Sequence, residues 1–358
     1  MSIIKSLRNY LFLKIAQRNY KKPIDLSKLD KILIIKSGGI GDAICIYPLL
    51  REIKKNYPNM EIDIYAGLSN HFMYSPVPYV NNIYIKYKKR QWFKTCFEII
   101  KMKKNKYDLV IDLTVIDFKR TLSTIFINPK FAIATEGQNK KYGFTRANLS
   151  FYNYTYLPLL NKHMIDNYLQ MLHYININNI NNKLNFYLPN KEHPSLNSFI
   201  QQFKNNILLG INTDGSSSSR TLKTEQIISL LNGLNNNNNI KIILFSMPNR
   251  RGYFEKIIKE NNFLNVTLTY KTKNIFEAAE IISKLDLLIS PDTSFIHIAS
   301  GLNIPTIGLY WNTPSKKIMW GPRSEKSKII VPKSVYDTNL DNISITKILE
   351  NTFKLLSI

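Results

Sequence analysis

Short β-branched runs alternate with helical stretches twice along this chain. A parallel sheet with crossover helices satisfies that pattern, and a helical bundle or an all-β sandwich does not. The first round begins at residues 31–36, where Ile32, Leu33, Ile34 and Ile35 predict a buried strand. A glycine-rich turn from Ser37 to Asp42 follows, and then a helix over 43–57 that Pro48 ends early or kinks. Strand-like runs at 61–66, 82–87 and 109–113 interleave with helical runs at 92–103 and 119–126. Residues 131–160 read as irregular, aromatic and polar, and 163–175 as a helix closing the first domain.

The second round opens with a strand at 207–212. Further strands are expected at 241–246, 266–269, 285–289 and 304–309, with helices at 223–234, 250–260, 275–284 and 350–356. Between the rounds, residues 176–194 are rich in Asn, Lys and Pro and read as a linker. The whole predicts two Rossmann-like, doubly wound α/β domains facing across a cleft, with ligands at the carboxyl ends of the strands. The expected divisions are a basic extension over 1–30, an N-terminal domain over 31–185, a C-terminal domain over 186–335 and a helical tail over 336–358.

A formal net charge of +24 over 358 residues selects for a polyanionic partner. Nucleic acid, an anionic membrane and a phosphorylated glycolipid all qualify. The basic residues are dispersed and no zinc spacing or nucleic-acid motif is present, which argues against nucleic acid. A polyanion-binding protein without enzymatic activity is the alternative from another class. Two cysteines, Cys45 and Cys96, give no disulfide framework and fit a reducing compartment; Cys45 lies among core-forming residues. No run of 18 apolar residues predicts a membrane span. Ile3, Ile4, Leu7, Leu11, Phe12 and Ile15 recur at helical spacing among Lys5, Arg8, Lys14 and Arg18. This suits a helix lying on an anionic bilayer, or one packed on the first domain with its basic face outward.

Four segments carry residues suited to chemistry. Gly38, Gly39 and Gly41 let the backbone bring Asp42 to the top of the first sheet, where a carboxylate can serve as a general base or as a plain helix cap. Ser216, Ser217 and Arg220 lie between a strand and a helix and read as a phosphate clamp or as a solvated serine-rich loop. Asp292, Thr293, Ser294 and His297 open a helix after a strand, a place where free amides and the helix dipole suit a diphosphate, or where Asp292 or Thr293 merely caps. His297 fits a sugar or phosphate contact, or a core position. Trp311, Trp320, Gly321 and Pro322 read as an aromatic loop near the site or a packed turn. No Asp-x-Asp, His pair at i, i+4, G-x-S-x-G elbow or Walker A sequence occurs, so metal, serine-hydrolase and P-loop chemistry are not indicated.

Lys36-Ser37-Gly38-Gly39-Ile40-Gly41-Asp42 with Tyr47-Pro48 resembles the N-terminal motif of glycosyltransferase family 9, the ADP-heptose:lipopolysaccharide heptosyltransferases. Pro291-Asp292-Thr293-Ser294-Phe295-Ile296-His297-Ile298-Ala299, then Gly301 to Thr306 and Trp320-Gly321-Pro322, resemble that family's donor motif. The resemblance runs from about Lys31 to Pro332. It implies the GT-B architecture and an inverting transfer needing no metal and no cofactor beyond the nucleotide-sugar donor, ADP-heptose. It also implies an anionic glycolipid acceptor of the lipopolysaccharide inner core, made at the cytoplasmic face of the inner membrane of a Gram-negative bacterium. By the same resemblance, Asp42 matches the catalytic base and Asp292 the acid at the donor sugar. Thr293 and Ser294 match the diphosphate turn, His297 matches a donor-motif histidine, and Arg220 stands where the family has a basic residue, often Lys. Ser294 replaces the family's usual Gly, and Leu222-Lys223 replaces its usual Trp-Pro. A GT-B enzyme using another nucleotide sugar, a transferase or an epimerase, is the nearest alternative.

Overall fold

The computed structural model describes residues 24–25, 29–114, 118–136, 145–189, 194–235, 237 and 239–357. The amphipathic segment expected over 3–18 lies outside them. The chain forms two compact units, Met1–Asn182 and Lys183–Ile358.

The first unit is built on six strands: β1 (Lys31–Lys36), β2 (Glu61–Gly67), β3 (Asn82–Lys86), β4 (Leu109–Asp112), β5 (Phe131–Thr135) and β6 (Tyr154–Tyr156). Their order is β3-β2-β1-β4-β5-β6, and every pairing is parallel. Ile32, Leu33 and Ile34 have no exposed surface, as a strand covered by helices on both faces requires. The helix expected over 43–57 is two helices, Ile40–Ile44 and Tyr47–Asn56. Pro48 sits in the first turn of the second, where its missing N–H costs nothing. Cys45 is buried between them.

The stretch 131–160, expected to be irregular, contains β5 and β6. Ala132, Ile133 and Ala134 of β5 are fully buried, but alanine carries little strand signal. Residues 163–175 open as an α-helix, Met164–Leu169, and tighten into 3₁₀ turns over Gln170–Ile175.

The second unit repeats the plan with β7 (Ile207–Asn212), β8 (Ile240–Phe245), β9 (Val266–Leu268), β10 (Leu287–Pro291), β11 (Thr306–Leu309) and β12 (Ser327–Ile330). The order is β12-β11-β10-β7-β8-β9, again all parallel. Counted from its own first strand, this is the same order as in the first unit. Helix Pro194–Gln201 begins at the end of the expected linker, in a stretch for which no element was predicted, and Pro314–Trp320 is helical where an aromatic loop or turn was expected. The last helix runs Ile345–Leu356, longer than predicted, and Ile348 enters the second core. Leu349 packs so tightly on the Thr224–Asn235 helix that a Cβ on Gly233 would lie 2.4 Å from it.

Candidate active site

In the first unit, β1 is apolar between two lysines, the half-exposed Lys31 and the last residue, Lys36, whose side chain is 5% exposed. A buried ammonium must find partners, and it finds two. Lys36 Nζ donates to Asp42 Oδ1 at 2.9 Å and to Tyr168 Oη at 2.6 Å. Burial alone would push Lys36 toward its neutral form, but Tyr168 and Asp42 outweigh that and raise it above the ordinary lysine value. Burial pushes the Tyr168 phenol up to about 12, against the opposing pull of Lys36.

The turn between Lys36 and Asp42 depends on glycine. Gly38 has φ +152°, and a Cβ there would lie 2.6 Å from Asp42 Oδ2. Gly39 N–H donates to Asp42 Oδ2 at 3.0 Å, and Ser69 Oγ donates to the Gly38 carbonyl at 2.7 Å. Asp42 therefore does not cap a helix beginning at Ala43. It lies inside the first turn of Ile40–Ile44 and bonds back to Gly39. Gly41 is helical as well, not part of a loop. The result is a carboxylate with both oxygens held from behind, yet 30% exposed. That arrangement suits a base presented to a substrate hydroxyl.

In the second unit, the loop after β7 turns back on itself. A Cβ on Gly215 would lie 2.3 Å from that of Arg220, so only glycine permits the close approach. Asp214 forms an ion pair with Arg250, which fixes the loop's start. Burial raises the Asp214 carboxyl, with Arg250 pulling the other way. Arg220 lies 3.3 Å from Asp292 Oδ2 and donates to the Asp292 carbonyl at 3.3 Å. Its Nη1 also reaches Ser216 Oγ at 3.5 Å. The guanidinium stands 5.2 Å from the Trp311 ring centroid, and Trp311 Nε1 donates to the Ser219 carbonyl at 3.0 Å. Ser217 Oγ pairs with Ser219 Oγ at 2.9 Å on the exposed side.

The helix Ser294–Gly301 begins beside this group. Thr293 is its cap, accepting from Phe295 N at 3.3 Å, while Ile296 N donates to the Thr293 carbonyl at 3.2 Å. Asn212 and Ser290 brace Thr293 from the sheet at 3.4 and 3.1 Å. The Asp292 amide, expected to face a diphosphate, instead donates to the Leu309 carbonyl at 3.1 Å as the last rung between β10 and β11. Among the described residues, the Thr293 and Ser294 amides have no acceptor. A guanidinium and two free amides thus meet at the carboxyl edge of the second sheet, a set of donors suited to a diphosphate.

The structure brings together Ser216, Arg220, Asp292, Thr293 and Ser294. It separates His297 from the exposed donors: His297 is buried, its ring edge-on to Trp320 at 6.0 Å. Trp320 is anchored there because Tyr310 Oη donates to its carbonyl at 2.7 Å. Asp42 belongs to the first unit and the Arg220 group to the second. Sequence reasoning assigned no role to Lys36 or Tyr168. The available signal was a lysine directly after the apolar run Ile32–Ile35, at the end of the strand that leads into the glycine turn, which implies a buried charge in need of partners. Among the described residues, no cluster of three His, Cys, Asp or Glu side chains is placed to hold a metal ion.

Residues 99–345 match the model of Glycosyltransferase family 9 (heptosyltransferase). The chain is 24% identical over 312 residues to the lipopolysaccharide core heptosyltransferase OpsX of Haemophilus influenzae, covering 86% of this chain and 85% of that protein. Among solved structures it is similar to a glycosyl transferase family 9 protein from Veillonella parvula (TM-score 0.75, 16% identity, 92% of this chain and 97% of that one). It is also similar to the E. coli heptosyltransferase WaaC with ADP (TM-score 0.67, 16% identity, 91% of this chain and 99% of that one).

Proposed function

This chain belongs to glycosyltransferase family 9, the heptosyltransferases, and on that premise we propose that it moves a heptose from ADP-heptose to the lipopolysaccharide inner core. It is a glycosyltransferase with the GT-B fold. The observation that carries the donor assignment is the pairing of the Arg220 guanidinium with the unbonded Thr293 and Ser294 amides. The relative solved with ADP supports the choice of nucleotide.

The proposed step is one in-line displacement with inversion. The acceptor hydroxyl attacks the anomeric carbon, the bond from that carbon to the diphosphate oxygen breaks, and Asp42 takes the hydroxyl proton. A carboxylate is a weak base for a sugar hydroxyl, so proton transfer comes late and contributes about 10²–10⁴-fold. Lys36 and the Gly39 amide hold the carboxylate in place for it. Charge growing on the departing ADP is met by Arg220 and the two amides, which do the work a metal does in other transferases. Turnover is therefore expected to persist in EDTA. Ser294, at the helix's first position, brings a hydroxyl to the diphosphate where the family usually has no side chain.

The acceptor we propose is the phosphorylated lipid A–Kdo core, whose anionic head complements the net charge of +24. The enzyme then works at the cytoplasmic face of the inner membrane as a peripheral protein. Among the described residues no helix is long and apolar enough to cross a membrane. Calorimetry with ADP-, UDP- and GDP-sugars tests the donor. Binding of the ADP-sugar alone is expected, and selective binding of a UDP- or GDP-sugar overturns it.

A further inference from the structure

The helix Trp92–Lys104 has two apolar faces, and the fold uses only one. Met102 and Ile99 point inward, packing with Leu33, Ile35 and Tyr107 of the first core. The other face is exposed. Trp92 is 67% accessible, Phe97 62%, Phe93 46% and Ile100 43%. At 100° per residue these four fall within an arc of roughly 140°, away from Met102. The surface continues onto the helix Phe118–Ile127. There Phe126 is exposed, and the Lys103 ammonium stands 4.1 Å from its ring centroid. An exposed patch of large aromatic side chains marks an interaction site.

The charge around the patch identifies the kind of partner. Between Lys88 and Lys106 the chain carries eight lysines and arginines against one acid, Glu98. Glu98 is already paired with Lys101 at 3.3 Å. A second copy of this chain would bring the same cations face to face. An anionic bilayer reverses the sign: aromatic rings enter the headgroup boundary while lysines reach lipid phosphates.

We propose that the outer face of Trp92–Lys104, extended by Phe126, docks this enzyme on anionic phospholipid. The inference rests on the reading that the acceptor is lipid-anchored. The helix lies flat, about 20 Å long, and holds the first unit, with Asp42, at the membrane surface.

The test uses full-length protein and vesicles of phosphatidylcholine with or without about 30 mol% phosphatidylglycerol. Wild type is expected to co-sediment only with the anionic vesicles, and less so at high salt. Brominated lipid should quench its tryptophan fluorescence, and Trp92→Phe should abolish that quenching. The double variant Trp92→Ser/Phe97→Ser should partition at least about tenfold more weakly with an unchanged melting temperature, since both side chains are already in water. Three results overturn the proposal. One is undiminished binding by the double variant while deletion of Met1–Arg18 abolishes it. Another is a lipid-free wild-type dimer that the double variant dissociates. The third is wild type that ignores anionic vesicles. Turnover of detergent-solubilised acceptor, measured in parallel, tests the proposed function separately: its failure alongside intact, patch-dependent vesicle binding overturns the acceptor and leaves the docking surface standing.

Discussion

Replacing Arg220 by alanine tests the donor site most directly. Two terms add. The first is the loss of charge-assisted hydrogen bonds to the diphosphate, about 1.5–3 kcal/mol. The second arises because Arg220 sits 3.3 Å from Asp292 and neutralises it. Without the guanidinium, the Asp292 carboxylate sets its negative charge against the incoming phosphates. At about 5 Å in a water-like dielectric, fitting for a carboxylate that keeps some solvent contact, that repulsion is roughly 1 kcal/mol. Together they weaken ADP binding by about 10²–10³-fold. The second term has its own signature. Adding Asp292→Asn to Arg220→Ala should recover about fivefold in affinity, although it adds no new contact to the ligand. Stability should hardly change. The pair keeps solvent contact and contributes about 1 kcal/mol, or roughly 2–4 °C in melting temperature for a unit of this size. Isothermal calorimetry with ADP and thermal unfolding of the apo proteins read all three numbers. An affinity within about threefold of wild type refutes the clamp. A double variant that binds no better than Arg220→Ala refutes the electrostatic part. A large fall in melting temperature would show that Arg220 is structural.

Asp42→Asn should lower turnover by about 10²–10⁴-fold while calorimetry finds ADP affinity unchanged, because the Arg220 group belongs to the other unit. Asp112→Asn should destabilise the first unit by about 3–5 kcal/mol, since it leaves the fully buried Arg146, 2.5 Å from Asp112, without its counter-ion; urea unfolding measures it. Stability should also fall in alkali. Tyr152 and Tyr168 are both pushed up to about 12 by burial, whereas an unfolded phenol ionises near 10. Their contribution is intact below pH 10 and is lost as pH rises toward 12, roughly 3 kcal/mol each. Urea midpoints at pH 9 and pH 11 should therefore differ, and Tyr152→Phe should narrow the difference.

The fold was legible wherever a strand was long and β-branched. Residues 31–36 and 207–212 were placed to the residue, because aliphatic runs of that length bounded by turn residues have few other readings. β6 was missed because three half-buried residues carry no periodicity. β12 was missed because two of its four residues face solvent. Of the candidate site, Asp42, Arg220 and Asp292 stood out in the sequence because each falls near the junction of a predicted strand and a predicted helix. Tyr168 did not, because its contact with Lys36 spans 132 positions and leaves no local trace. The expected amide of Asp292 proved unavailable for a related reason: whether a backbone N–H at a strand's end is free depends on the neighbouring strand. The Trp92–Lys104 helix was read correctly as a helix, but periodicity reports that an apolar face exists and not whether a core covers it.

The shared strand order of the two sheets bears on how such an enzyme diversifies. In each half a residue proposed above for the reaction follows the first strand, Asp42 in one and Arg220 in the other, and each half has its own core. If the proposed donor site is right, a change such as Ser294 for glycine retunes the grip on the nucleotide without disturbing the packing that positions Asp42. One scaffold used twice lets selection act on the two halves one at a time.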